Sequence, residues 1–238
     1  MPYHPTFAFF ETITPLSTLA PLLIGRLGGQ LPAVGIEVSN PRRDIPRRLE
    51  FAGPEGALDF LRRHDVVTRR LWMTGALARL TVWSPGPDLL GVDGWESPIG
   101  SQASPGERRR LVLALHQVLA HHCGAQLIYT SGQEDSYAGE PSHGSLVRQC
   151  RQHLDQGENL APLLFEELAP YFWLITARQG LLNGSGPSAA FEQIRRTDGF
   201  DSFENFTDRP LFLRQPELVP GSADERSSPR EGTTQSWS

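Results

Sequence analysis

Lysine is absent from this 238-residue chain, and all 22 basic side chains are arginine. That excludes every mechanism built on a lysine: the phosphate-loop lysine, the Schiff-base lysine, the Ser-x-x-Lys nucleophile and the kinase strand lysine. What is left is a cation that stays charged and donates as a flat fork, suited to carboxylates, phosphates and aromatic faces. Such usage is also what a GC-rich bacterial coding sequence gives. Cysteine is scarce. Cys123 and Cys150 are too few for a disulfide framework. No long apolar run exists either: Leu16 to Leu31 is broken by Pro21 and Arg26 and falls short of a membrane span. Met1 to Phe10 lacks the basic start and apolar run of a secretory signal, so the expectation is a cytoplasmic protein. The glycosylation triplets at Asn183 and Asn205 then carry no weight. A formal net charge of −5 argues against a general nucleic-acid coat or a binder of anionic membranes.

The charge that is present is unevenly spread. From Arg42 to Arg79 nine arginines face five carboxylates, a net of +4. From Asp155 to Glu225 twelve carboxylates face five arginines, a net of −7. Such a dipolar surface can steer a charged partner.

The apolar pattern predicts an α+β fold: a mixed or antiparallel sheet with helices mainly on one face. Strands are expected over 7–14, 33–38, 48–51, 66–73, 78–83, 126–130, 171–176 and 211–213. The best pair, 66–73 with 78–83, is joined by a hairpin-sized Thr74-Gly75-Ala76-Leu77. Helices are expected over 17–27 (capped by Ser17), from Pro54, over 105–123, around 145–153 and over 160–168. Residues 84–104, rich in Pro, Gly, Asp and Ser, read as a long loop and a possible internal split. One domain over 1–215 and a disordered tail over 216–238 complete the expected organisation.

Three sets of residues offer function. His121 and His122 end one expected helix, and Cys150-x-x-His153 lies on another; together they make four groups of the type zinc accepts. A metal-dependent or His-based hydrolase would centre there. His143-Gly-Ser145, with Glu134, Asp135 and Glu140 nearby, places a base beside a hydroxyl, although Ser145 also suits a helix cap. No Gly-x-Ser-x-Gly, His-Glu-x-x-His or paired Cys-x-x-Cys accompanies either set. The second set is the arginine-rich 42–79 region. A nucleic-acid reading would use it, but no helix-turn-helix, zinc-finger or RNA-recognition signature is present.

The third set is acidic and aromatic. Asp93, Trp95 and Glu96 form one segment; Phe200, Asp201, Phe203 and Glu204 belong to another. In the second, Phe200, Phe203 and Phe206 would make an apolar stripe if the segment were a helical turn. Aromatic residues ringed by charge have the composition of a protein-binding anchor. The sequence therefore points away from an enzyme and toward a module of the bacterial immunity or adaptor type. It would bind another protein, without cofactor, membrane or nucleic acid.

Overall fold

The computed structural model describes residues 5–40, 43–96, 105–131, 143–167, 172–182, 200–206 and 209–214. The expected tail over 216–238 lies outside them, as do Glu134, Asp135 and Glu140. The fold is α+β, built on one ten-stranded sheet in which every pairing is antiparallel.

In chain order the strands are β1 (Thr6–Phe9), β2 (Ala33–Asn40), β3 (Arg43–Phe51), β4 (Val67–Thr74), β5 (Arg79–Gly86), β6 (Leu89–Glu96), β7 (Leu127–Ser131), β8 (Phe172–Ala177), β9 (Phe200–Phe206) and β10 (Arg209–Arg214). Their spatial order is β3-β2-β4-β5-β6-β1-β7-β8-β10-β9. The first strand is thus central: β1 pairs with β6 on one side and β7 on the other, joining the strands that precede and follow residues 105–122.

The helices are α1 (Leu16–Leu27), α2 (Pro54–Arg63), α3 (Pro105–Gln117, continued by a π-helical turn Val118–His122), α4 (His143–Gln156) and α5 (Leu160–Pro162, continued by a π-helical turn Leu163–Glu167). Alternation along the strands sorts side chains onto two faces. On one face Val34, Ile36, Leu71, Met73, Leu80, Val82, Val92, Ala8 and Ile128 form the larger core, under α1, α2 and α3. On the other, Phe7, Phe9, Leu127, Tyr129 and Ile175 form a smaller core with Leu146 and Cys150 of α4 and Leu160 of α5. The larger group of helices shares one face, as the pattern implied, and α4 with α5 covers the central part of the second.

Several local expectations are corrected. Residues 84–104 are not all loop, because β6 runs through them. Pro87 and Asp88 make the turn between β5 and β6, and Ser84 Oγ donates to Leu89 O at 3.1 Å across it. Ser17 does not cap α1. Pro15 holds the cap position with no side-chain hydrogen bond, and Ser17 Oγ accepts instead from Thr68 N–H at 2.9 Å, tying α1 to β4. Phe200 to Phe206 form strand β9 and not a helical turn, so a spacing of three no longer aligns the phenylalanines.

Helix α4 is held to the turn before β6 by a forked ion pair. The Arg151 guanidinium donates to both oxygens of Asp88 (Nη2 to Oδ1 at 2.8 Å), and its carbon lies 5.4 Å from the Phe9 ring centroid. Both side chains are about one-quarter exposed, which limits solvent screening. Arg151→Ala should therefore cost about 1–2 kcal/mol, read as a lower denaturant midpoint. Adding Asp88→Ala should cost little more, because the interaction is already lost.

Candidate functional site

The second face of the sheet changes character along its length. One row of paired residues crosses eight strands, in the order Arg48, Glu37, Arg70, Trp83, Gly91, Phe7, Tyr129, Ile175. From Phe7 onward the row is apolar and buried beneath α4 and α5. From Arg48 to Trp83 it is polar or half-buried, and among the described residues no helix covers it. The neighbouring row runs Glu50, Gly35, Trp72, Thr81, Asp93.

Two tryptophans shape this open face, each opposite a glycine. A Cβ on Gly91 would stand 2.5 Å from the Trp83 ring, and one on Gly35 would meet Trp72 at 3.4 Å. The Trp83 indole lies against the backbone where a side chain at Gly91 would otherwise stand, a recurrent reason for glycine inside a strand, whereas a Cβ at Gly35 would meet Trp72 in ordinary van der Waals contact. Trp83 marks the edge of the covered region, since its ring meets Phe7 edge-on with centroids 6.2 Å apart. Trp72 lies farther out. The Arg48 guanidinium stacks 4.6 Å from its ring centroid and pairs with Glu50 at 3.0 Å. The product is an aromatic centre with charges at its rim, the composition of an interface centre.

Of the acidic-aromatic residues singled out in the sequence, Asp93 stands on this face, opposite Thr81. Trp95 and Glu96 continue β6. Phe200, Asp201, Phe203 and Glu204 belong to β9 at the far edge of the sheet, five strand spacings or roughly 24 Å from β6. The two segments are therefore separate surfaces.

The histidine-cysteine set is not brought together. His121 and His122 are exposed on the turn after α3, over one face of the sheet, whereas α4 carries Cys150 and His153 over the other. Cys150 is buried, and burial pushes its thiol up to about 12, so it stays protonated. His153 Nδ1 lies 2.7 Å from Glu158 Oε2. Among the described residues no group of three or more His, Cys, Asp or Glu is placed to hold a metal. The helix-to-sheet order of the fold, which residue spacing does not encode, separates these four.

His116 has a different role from the one its neighbours suggested. Fully buried on α3, it lies 2.9 Å from Thr176 Oγ1 through Nδ1 and 2.9 Å from Thr130 Oγ1 through Nε2. Thr130 Oγ1 in turn lies 2.7 Å from Thr6 Oγ1. Burial lowers the imidazole to about 3, so it is neutral, one ring nitrogen donating and the other accepting. This closed chain pins α3 to β7, β8 and β1, and its buried position gives it a structural and not a chemical task. Cys123, half-buried beyond α3, is also pushed up to about 12 by burial.

No protein-family model matches the chain, and no curated protein shows detectable similarity to it. No helix among the described residues is long and apolar enough to cross a membrane.

Proposed function

We propose that the protein is a non-enzymatic binding module of the bacterial immunity or adaptor type, acting in the cytoplasm on a partner protein. The docking surface is the open face of β3-β2-β4-β5-β6, centred on Trp72 and Trp83 and bordered by Asp93. The supporting observation is the pair of tryptophans opposite Gly35 and Gly91, with the Trp83 ring close over Gly91, on the part of the sheet that α4 and α5 leave uncovered. Large rigid aromatics with an arginine stacked on them are what interface hot spots are made of. An aromatic centre of this size requires little ordering on binding, so its contact area converts well into affinity.

Capture from the host lysate followed by native mass spectrometry identifies the partner. Its affinity should then fall at least about 30-fold with Trp72→Ala, the hot-spot threshold of about 2 kcal/mol. Leu22→Ala, on an exposed part of α1 across the sheet, should leave affinity unchanged. Equal affinity for wild type and Trp72→Ala would remove this face from consideration.

A further inference from the structure

We infer that the partner presents an acidic, extended segment, and that it lies along the basic corner where β3, β2 and β4 meet. The inference rests on the docking reading above and names the chemistry of its occupant. Strand register and the edge position of β3 define the corner: Arg48 and Arg70 both stand opposite Glu37 on the open face, while Arg47, opposite the core residue Val38, lies at the same sheet edge on the helix side. Arg48 and Arg70 are thus two strand spacings, or about 9.6 Å, apart on the open face. The last turn of α2 adds Arg62 and Arg63 just before β4 begins.

Arg47, Arg48, Arg62, Arg63, Arg69 and Arg70 are all exposed. Arg48 is paired with Glu50 and Arg63 with Asp59. Among the described residues, Arg47, Arg62, Arg69 and Arg70 have no ion-pair partner. The carboxylates of Glu37 and Asp65 share the corner but leave it net positive. Two apolar side chains stand out among these arginines: Ile45 is 81% exposed and Val67 46% exposed.

Exposed apolar side chains between cations suit a peptide, which has both carboxylates and apolar groups to offer, better than a phosphate backbone. β3 is also an edge strand of the sheet. Pro46 interrupts that edge by lacking an N–H, which discourages indiscriminate strand addition. Recognition then falls to the arginine forks and to Ile45, and a complete backbone ladder is not required. Arginine forks select carboxylates at close range and raise the association rate at low salt.

Fluorescence anisotropy with the full-length protein tests this. The probe is a labelled twelve-residue peptide alternating glutamate and valine; a lysine-valine peptide and a twelve-nucleotide single strand of DNA are the comparisons. The acidic peptide should bind, weaken with added salt, and lose at least tenfold in affinity with Arg48→Glu/Arg70→Glu; the milder Arg48→Gln/Arg70→Gln pair should lose less. The lysine-valine peptide should not bind. No binding of the acidic peptide, equal binding of both peptides, tighter binding of DNA, or insensitivity to the substitutions would each overturn the inference. The natural partner separates the two levels of the reading. A complex weakened by Trp72→Ala but not by the arginine pair keeps the docking face and rejects the acidic segment. A complex insensitive to both rejects the docking face itself.

Discussion

Replacing His116 with alanine should destabilise the protein by about 3–5 kcal/mol. Two losses combine. The ring leaves a cavity between α3 and the sheet, and the buried Thr176 Oγ1 loses its 2.9 Å partner. Thr130 Oγ1 retains Thr6 and suffers less. His116→Phe refills most of the volume but still strands Thr176, so about 2–3 kcal/mol should remain. Equal stability of the alanine and phenylalanine variants would show that volume alone, without hydrogen bonding, sets the cost.

The same residue makes stability depend on pH. The ordinary histidine value is 6.5 and burial lowers His116 to about 3, so between these values the unfolded chain binds a proton that the folded protein does not. The stability is fully present above pH 6.5 and is lost as pH falls toward 3, by up to about 1.4 kcal/mol per pH unit. His116→Gln should flatten the slope of unfolding free energy against pH between 6.5 and 5, relative to the wild type, by one proton's worth. An unchanged slope would mean that His116 is charged in the fold.

Gly75→Ala should cost about 3 kcal/mol, because here a methyl group meets backbone. A Cβ at Gly75 would stand 2.1 Å from the Gln30 carbonyl oxygen and 3.1 Å from Leu31 Cα. The β4–β5 turn is thus packed against the connection from α1 to β2, where Leu31 is fully buried. A side chain can rotate away from a clash; here the segment carrying Leu31 must move and loosen the larger core. Gly29→Ala, one residue before the contacted segment, has nothing within 4 Å of its added carbon and should be neutral or slightly stabilising. Thermal unfolding of the two variants side by side should separate them by many degrees. Similar melting temperatures would show that the turn is not held against that connection.

The sequence made the fold class legible where period and breakers agreed. The hairpin of β4 and β5 was visible because Leu71, Met73, Leu80 and Val82 alternate around a glycine turn. Helices α2 and α3 were visible because Pro54 and Pro105 open amphipathic stretches. β6 was not, because Pro85, Gly86, Pro87, Gly91 and Gly94 have the composition of a loop; Gly91 is there so that Trp83 can lie over it. The two-sided covering of the sheet was equally hidden, since an apolar helix stripe does not say which face it meets.

The candidate surface was legible only in part. Asp93 lies on the open face, yet Trp72 and Trp83 alternate within ordinary strands, and only cross-strand register shows that each faces a glycine. Likewise, doublets such as Arg47-Arg48 and Arg69-Arg70 point in different directions within one strand. It is the shared partner Glu37 that brings Arg48 and Arg70, one member of each doublet, into one patch. The histidine-cysteine set failed for the complementary reason: residues near in sequence were divided by the sheet itself.

Hydroxyl-radical footprinting of the isolated complex tests the central claim most directly, because it reads side-chain exposure at Trp72 and Trp83 themselves. Partner binding should strongly reduce oxidation at Trp72 and, to a lesser degree, at the already half-buried Trp83, while Leu22 on α1 is oxidised as in the free protein. Protection at Leu22 with undiminished oxidation of Trp72 would place the partner on the helical side and contradict the account.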